Sequence, residues 1–134
     1  MRALGLSFVP VLMGVLVASA SAQPSPGVKS KVDQCFYSNQ FQGFRAINDR
    51  SFYMRAGAND IYRIDLSSSC PALQYPDARL ITVVRGSNLI CGPLDWDLKV
   101  AQGGPGEIAE PCIVSAQTHL TKEEGAAIPK KLRP

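Results

Sequence analysis

Four cysteines, Cys35, Cys70, Cys91 and Cys112, follow an apolar leader, and this arrangement constrains the fold more than any other feature of the chain. Arg2 supplies one positive charge. Ala3 to Val17 form an apolar run broken only by Gly5, Ser7, Pro10 and Gly14, and Ala18 to Ala22 offer overlapping small-residue cleavage sites. The run is shorter than the roughly 20 residues a spanning helix needs. The expected organisation is a signal peptide over residues 1–22, cut after Ala22, and an exported product, periplasmic or secreted, with no membrane span. In an oxidising compartment thiols become disulfides, so the four cysteines read as two structural bridges. The closest spacings, Cys70 to Cys91 and Cys91 to Cys112, are both 21 residues, far from the Cys-x-x-Cys of redox motifs, and no cysteine or histidine pair has zinc-ligand spacing. Neither a cofactor nor a metal is expected.

Removal of the leader leaves 112 residues, enough for one domain with a modest core. The full chain has 14 basic and 11 acidic residues, so loss of Arg2 leaves a net charge of +2, spread along the chain. Nucleic acid is not implied, because that partner demands a concentrated basic face. Residues 23–34 and the basic tail 129–134 have little apolar content and read as mobile ends of a single β-rich domain over 35–128.

The dominant period within that domain is two, the signature of strands. Phe44 and Ala46, then Phe52 and Met54, then Tyr62, Ile64 and Leu66 alternate with Arg45, Tyr53, Arg55, Arg63 and Asp65. Breaks fall at Asn48-Asp49-Arg50 and Gly57-Ala58-Asn59, both rich in turn formers. Three-residue loops would pair Ala46 with Phe52, Phe44 with Met54, Met54 with Tyr62 and Phe52 with Ile64. Every apolar residue then meets another, as register rules require where one face is buried. An antiparallel three-stranded meander is expected.

The second half continues in the same style. Arg79 to Arg85 (RLITVVR) is apolar on both faces and reads as a central strand, with Gly86-Ser87 as a tight turn and Asn88 to Gly92 returning beside it. Trp96, Leu98 and Val100 alternate with Asp95, Asp97 and Lys99. After Gly103-Gly104-Pro105-Gly106, the residues Cys112, Val114, Ala116, Thr118 and Leu120 share one face, leaving Ile113, Ser115, Gln117 and His119 on the other. Thr121 and Glu124 have capping-box spacing ahead of a short helical turn that Pro129 ends. The fold class is mainly β: six or seven short strands forming a small antiparallel barrel or a two-layer sandwich, stapled by disulfides. Four cysteines allow three connectivities. The favoured one joins Cys70 to Cys91 and Cys35 to Cys112, the latter because barrel closure brings the first and last strands together.

Candidate chemistry is sparse. Asp95 and Asp97 flank Trp96 on one side of a strand at roughly 7 Å, a spacing that suits Ca²⁺ or an acid/base pair; solvent-facing aspartates beside a core tryptophan are the plainer reading. His119 is the single histidine and has no nucleophile motif beside it. The meander register makes Arg45, Tyr53 and Arg63 cross-strand neighbours on the outer face, with Arg55 diagonal to them. This candidate binding surface suits an anionic envelope component or a protein partner; its plainer reading is a stacked ladder satisfied by nearby Asp65.

Cys35-Phe36, Asn48-Asp49, Tyr62 to Leu66 leading to Cys70-Pro71-x-Leu73, Ile90-Cys91-Gly92 and Pro111 to Val114 together resemble a family of small exported bacterial proteins classified only as a domain of unknown function. The resemblance runs from about Cys35 to Leu120. It implies export into an envelope compartment and carries no activity, ligand or catalytic residue. Three functions fit: a non-catalytic envelope or secreted binding module, a small hydrolase or metal-dependent enzyme using Asp95 and Asp97, and a secreted inhibitor or effector. A cleft gathering both aspartates and His119 would favour the enzyme.

Overall fold

The alternation between Phe41 and Leu66 becomes three consecutive strands in the computed structural model, which describes residues 34–134 except Pro105 and Glu107. Residues 1–33, where the signal peptide and the mobile N-terminal segment were expected, lie outside the described residues. Strands β2 (Phe41–Asn48), β3 (Ser51–Ala56) and β4 (Asp60–Leu66) form the expected meander, and a two-residue strand β1 (Phe36–Tyr37) precedes it. The register is the one the apolar pattern demands: Ala46 faces Phe52, Phe44 faces Met54, Met54 faces Tyr62 and Phe52 faces Ile64. The second break is a three-residue loop in which Gly57 takes a positive φ of 61°. At the first break Asp49-Arg50 makes a two-residue turn instead, and a bulge between Ala46 and Asn48 absorbs Ile47 so that the pairing survives. The Asn48 side chain fastens this turn, its Oδ1 accepting from the Arg50 N–H at 2.8 Å and the Ser51 hydroxyl at 3.1 Å.

Beyond the meander, β5 (Arg79–Val84), β6 (Leu89–Ile90), β7 (Trp96–Ala101), β8 (Glu110–Cys112), β9 (Val114–His119) and one helix, α1 (Lys122–Ala127), complete the described elements. Nine strands make three antiparallel sheets among the described residues, ordered β2-β3-β4-β9, β5-β7-β8 and β1-β6. None closes on itself, so the barrel alternative falls and the two-layer sandwich stands. RLITVV, expected at a sheet centre, is an edge strand: β5 pairs only with β7, and β6 pairs with β1 rather than folding back on β5.

The chain passes from one layer to the other at Ile113, between β8, which pairs with β7, and β9, which pairs with β4. Crossing between two twisted layers requires a bend, and a bulge opposite Asp65 and Leu66 supplies it. The bulge shifts the side-chain parity. Cys112 and Val114 face inward as expected, but Gln117 is buried and Ala116 and Thr118 are exposed, reversing the expected face beyond Val114. Gln117 offsets part of its desolvation by donating from Nε2 to the Gln34 carbonyl at 2.6 Å.

One core lies between the layers. Phe52, Met54 and Ile64 from the meander and Trp96, Leu98 and Val100 from β7 are all at most 2% exposed. Phe36 bridges them, its ring 5.0 Å from Tyr62 on one layer and 6.0 Å from Trp96 on the other. The disulfides join Cys35 to Cys91 and Cys70 to Cys112, a crossed connectivity that replaces the expected pairing. Cys35–Cys91 prolongs the β1–β6 ribbon, whose register Phe36–Ile90 leads directly to that pair. Cys70–Cys112 is buried and ties the end of the meander to β8 in the opposite layer. The expected pairing assumed that the first strand meets the last; here the first strand meets β6.

Thr121 caps α1 as the sequence indicates. Its hydroxyl accepts from the Glu124 N–H at 3.2 Å, and the Glu124 carboxylate accepts from the Thr121 N–H at 2.6 Å. Residues 129–134, expected as a free basic tail, include a 3-10 turn over Lys130–Leu132. Arg133 folds back and donates to the carbonyls of Ile128 at 3.1 Å and Ala126 at 2.6 Å, satisfying the helix end.

Candidate functional site

The meander register sets Arg45, Tyr53 and Arg63 side by side on the outer face, Arg45 opposite Tyr53 and Tyr53 opposite Arg63. Arg55 lies one row away, opposite Gly43 and Ile61. The row is therefore assembled, but its charge is partly spent. Arg63 donates to both oxygens of Asp65, from Nε at 3.0 and 3.2 Å and from Nη2 at 2.9 Å, which raises its pKa further above the usual guanidinium value. Arg55 is half-buried, with its Nε shielded from solvent and unpartnered among the described residues. Arg45 is exposed and reaches only the carbonyl of Phe44, at 3.4 Å.

Asp95 and Asp97 do not form a pair on one strand face. Asp95 belongs to a 3-10 turn over Pro93–Asp95, and its Oδ2 accepts from the backbone N–H groups of Cys91 at 2.8 Å and Gly92 at 2.9 Å. Proline opening a turn that ends in aspartate is a capping pattern, and Gly92-Pro93-Leu94-Asp95 carried that signal. Asp97 lies on β7 and binds Arg85 through two hydrogen bonds, one from Nε at 2.9 Å. That bond holds the Asp97 carboxyl below the usual carboxylate range. His119 stacks on Tyr62 with ring centroids 4.8 Å apart, and its Nε2 lies 3.3 Å from Asp60. Tyr62 itself is pushed up to about 12, first by burial and then by the Asp60 charge, while its hydroxyl donates to the Cys35 carbonyl at 2.9 Å. Asp95, Asp97 and His119 line three different grooves, so the cleft that a hydrolase would need from them is not assembled. No group of three or more histidines, cysteines or carboxylates among the described residues is placed to hold a metal ion.

A different surface gathers unexplained apolar area. On the outer side of the three-stranded sheet, a groove of about 450 Å³ runs between Val83, Leu94, Trp96, Pro111 and Ile113, with Arg85, Asp97 and Lys99 also lining it. Leu94 is 83% exposed, Ile113 66% and Val83 47%. Each is displayed for a local reason. Leu94 is the middle residue of the 3-10 turn that Asp95 caps, and Ile113 sits at the layer crossing, out of phase with the inward Cys112 and Val114. Trp96 also borders the groove, but its ring packs inward against Phe36, and its indole N–H has no hydrogen-bond partner among the described residues. The sequence reading passed over this set; its one signal was Ile113, an isoleucine on a face otherwise made of Ser115, Gln117 and His119.

Among curated proteins and solved structures, none matches the chain. The family model "Family of unknown function (DUF6491)" matches residues 2–133, a span that takes in the apolar N-terminal run, Trp96 and most of residues 129–134. With nearly the whole sequence covered, the chain belongs to this family of unknown function, DUF6491.

Proposed function

We propose that the protein is an exported, non-catalytic module that binds a protein partner through the outer face of its three-stranded sheet. The observation that carries this reading is the exposure of Leu94, Ile113 and Val83 around one groove with a charged rim. Apolar side chains grouped in this way mark interaction sites, and an apolar centre inside a polar rim is the anatomy of protein interfaces. Export is supported by the leader pattern and by four cysteines that are all bridged. No helix among the described residues is long and apolar enough to cross a membrane. Restraint by two bridges suits a module that must hold its surface without a large core.

The test compares the wild-type protein with Leu94→Asp/Ile113→Asp and with Arg45→Ser/Arg63→Ser as immobilised baits against envelope and culture-medium fractions of the producing cell. A saturable partner retained by wild type and the arginine variant, and lost by the Leu94/Ile113 variant, is the expected result. Retention by the Leu94/Ile113 variant overturns the reading. A second reading, docking of an anionic envelope group on the meander, is favoured by Arg45, which is exposed and has no ion pair among the described residues. Loss of the partner with Arg45→Ser/Arg63→Ser alone would select it. An inhibitor or effector would use the same groove, and a captured enzyme would identify it.

A further inference from the structure

Strand β5 is the one long edge in the described structure with neither a bulge nor a proline, its charges, Arg79 and Arg85, standing only at its ends. Edge strands carry unpaired backbone groups and are ordinarily blunted by bulges, prolines, charges or short length. The edge strand β2 has register shifts at two places, β9 has a bulge, and β8 is three residues long with Pro111 at its centre. By contrast β5 runs six residues in unbroken register with β7, and Leu80 to Val84 hold neither proline nor charge. The Arg85 N–H donates to the Asp95 carbonyl at 2.7 Å, continuing that register, so odd-numbered residues direct their backbone groups toward β7. The N–H and C=O groups of Leu80, Thr82 and Val84 therefore point to the free edge. Their side chains are only half-buried, although Leu80 and Val84 pack on the core, because no further strand covers that side.

We infer that this edge pairs with β5 of a second copy of the chain, antiparallel about a two-fold axis through Ile81. A two-fold that keeps both cores on one side of the joined sheet must pair residues of like parity, so its centre falls on a residue. Centring on Thr82 would set Arg79 opposite Arg85 of the other copy, a like-charge pair. Centring on Ile81 sets Arg79 opposite Val83 instead, and brings Asp77, in the turn that leads into β5, toward Arg85 of the other copy, a guanidinium that also holds its own Asp97. The like-charge pair is then avoided, and opposite charges lie near each other at both ends of the seam. Asp77 is exposed and has no ion pair among the described residues, so it is available for this contact. Leu80 and Thr82 of each copy exchange backbone hydrogen bonds with Thr82 and Leu80 of the other. The product is a six-stranded sheet, β8-β7-β5-β5-β7-β8, with Ile81 (42% exposed) meeting its own counterpart at the axis. This inference does not depend on the groove binding a partner, since the self-association uses backbone groups that face away from β7.

The experiment uses the oxidised protein lacking residues 1–22. Sedimentation equilibrium of the wild type is expected to give a monomer–dimer equilibrium with a dissociation constant on the order of micromolar, as suits a small interface. Under mild copper–phenanthroline oxidation Ile81→Cys is expected to yield a covalent dimer, because cross-strand Cβ atoms at an axis-centred, non-hydrogen-bonded pair lie about 4.5–5.5 Å apart. Val83→Cys is expected to stay uncrosslinked. Thr82→Pro removes an edge-facing N–H and leaves the β7 ladder intact, so it is expected to be monomeric with an unchanged far-ultraviolet spectrum. Should that variant unfold, Asp77→Lys serves in its place and weakens the dimer about tenfold by reversing two symmetry-related pairs. A wild type that stays monomeric at high micromolar concentration overturns the inference, as does crosslinking of Val83→Cys or Thr82→Cys as fast as Ile81→Cys. Loss of a different protein from the Thr82→Pro variant, with the wild type monomeric, would overturn it in favour of strand addition by that partner.

Discussion

Removing the two disulfides one at a time separates the effect of chain entropy from that of core packing. Cys35–Cys91 spans 56 residues of sequence and Cys70–Cys112 spans 42. Loop entropy assigns each bridge about 4 kcal/mol, and the ratio of lengths favours the longer by only about 0.3 kcal/mol. Packing works in the opposite direction. Cys70 is fully buried and Cys112 is 4% exposed, whereas Cys35 and Cys91 are half-buried at the end of a two-stranded ribbon. Deleting both core sulfurs therefore adds a cavity cost of about 1–2 kcal/mol, several times the entropic difference. Cys70→Ala/Cys112→Ala is expected to lose more stability than Cys35→Ala/Cys91→Ala, and the loss is large against the 5–15 kcal/mol typical of a domain. Urea unfolding of both double variants, followed by tyrosine and tryptophan fluorescence, measures the difference. Equal midpoints, or a lower midpoint for the Cys35/Cys91 variant, would refute the argument that packing decides the order. Peptide mapping that links Cys70 to Cys91 would refute the connectivity itself.

Three further outcomes follow from local geometry. Tyr62 has a folded pKa raised to about 12 against an unfolded value near 10. Its unfolded phenol ionises first, so its contribution to stability is complete below pH about 10 and is lost as pH rises toward 12. Alkaline unfolding monitored by phenolate absorbance should show this, and Tyr62→Phe should remove that component. Asp95→Ala leaves the N–H groups of Cys91 and Gly92 without their acceptor and is expected to cost about 1–3 kcal/mol, with loosened order at Leu94 detectable by hydrogen exchange. Thr121→Ala deletes the helix cap and is expected to cost about 1 kcal/mol in a thermal or urea titration.

The meander was legible because its strands bury one face and expose the other, so the spacing of Phe44, Ala46, Phe52, Met54, Tyr62 and Ile64 permits a single register. The helix cap was legible for a similar reason: Thr121 and Glu124 interact within one turn. What escaped depends on relations between distant segments. Alternation cannot reveal the bulge that turns Gln117 inward, because a bulge resets parity without altering composition. The two apolar faces of RLITVV suggested a sheet centre, yet its edge position follows from β6 pairing with β1. The disulfide pairing failed with the same error, since it rested on first and last strands meeting. Of the candidate site, the alignment of Arg45, Tyr53 and Arg63 followed from the register and Asp65 was expected beside the row; that Asp65 holds Arg63 and leaves Arg45 exposed is a side-chain event that pairing alone does not specify. The groove needed the third dimension altogether: Val83, Leu94 and Ile113 come from an edge strand, a capped turn and a layer crossing.

Protein binding by the outer face of the three-stranded sheet is the function proposed for this chain. Its most direct test is photo-crosslinking in the producing cell, with a photoreactive amino acid placed at position 94 in one strain and at position 53, on the opposite layer, in another. A discrete protein adduct from position 94, absent from position 53 and abolished by Ile113→Asp, is the predicted result. Adducts from position 53 with none from position 94 would contradict the account and return the search to the arginine row.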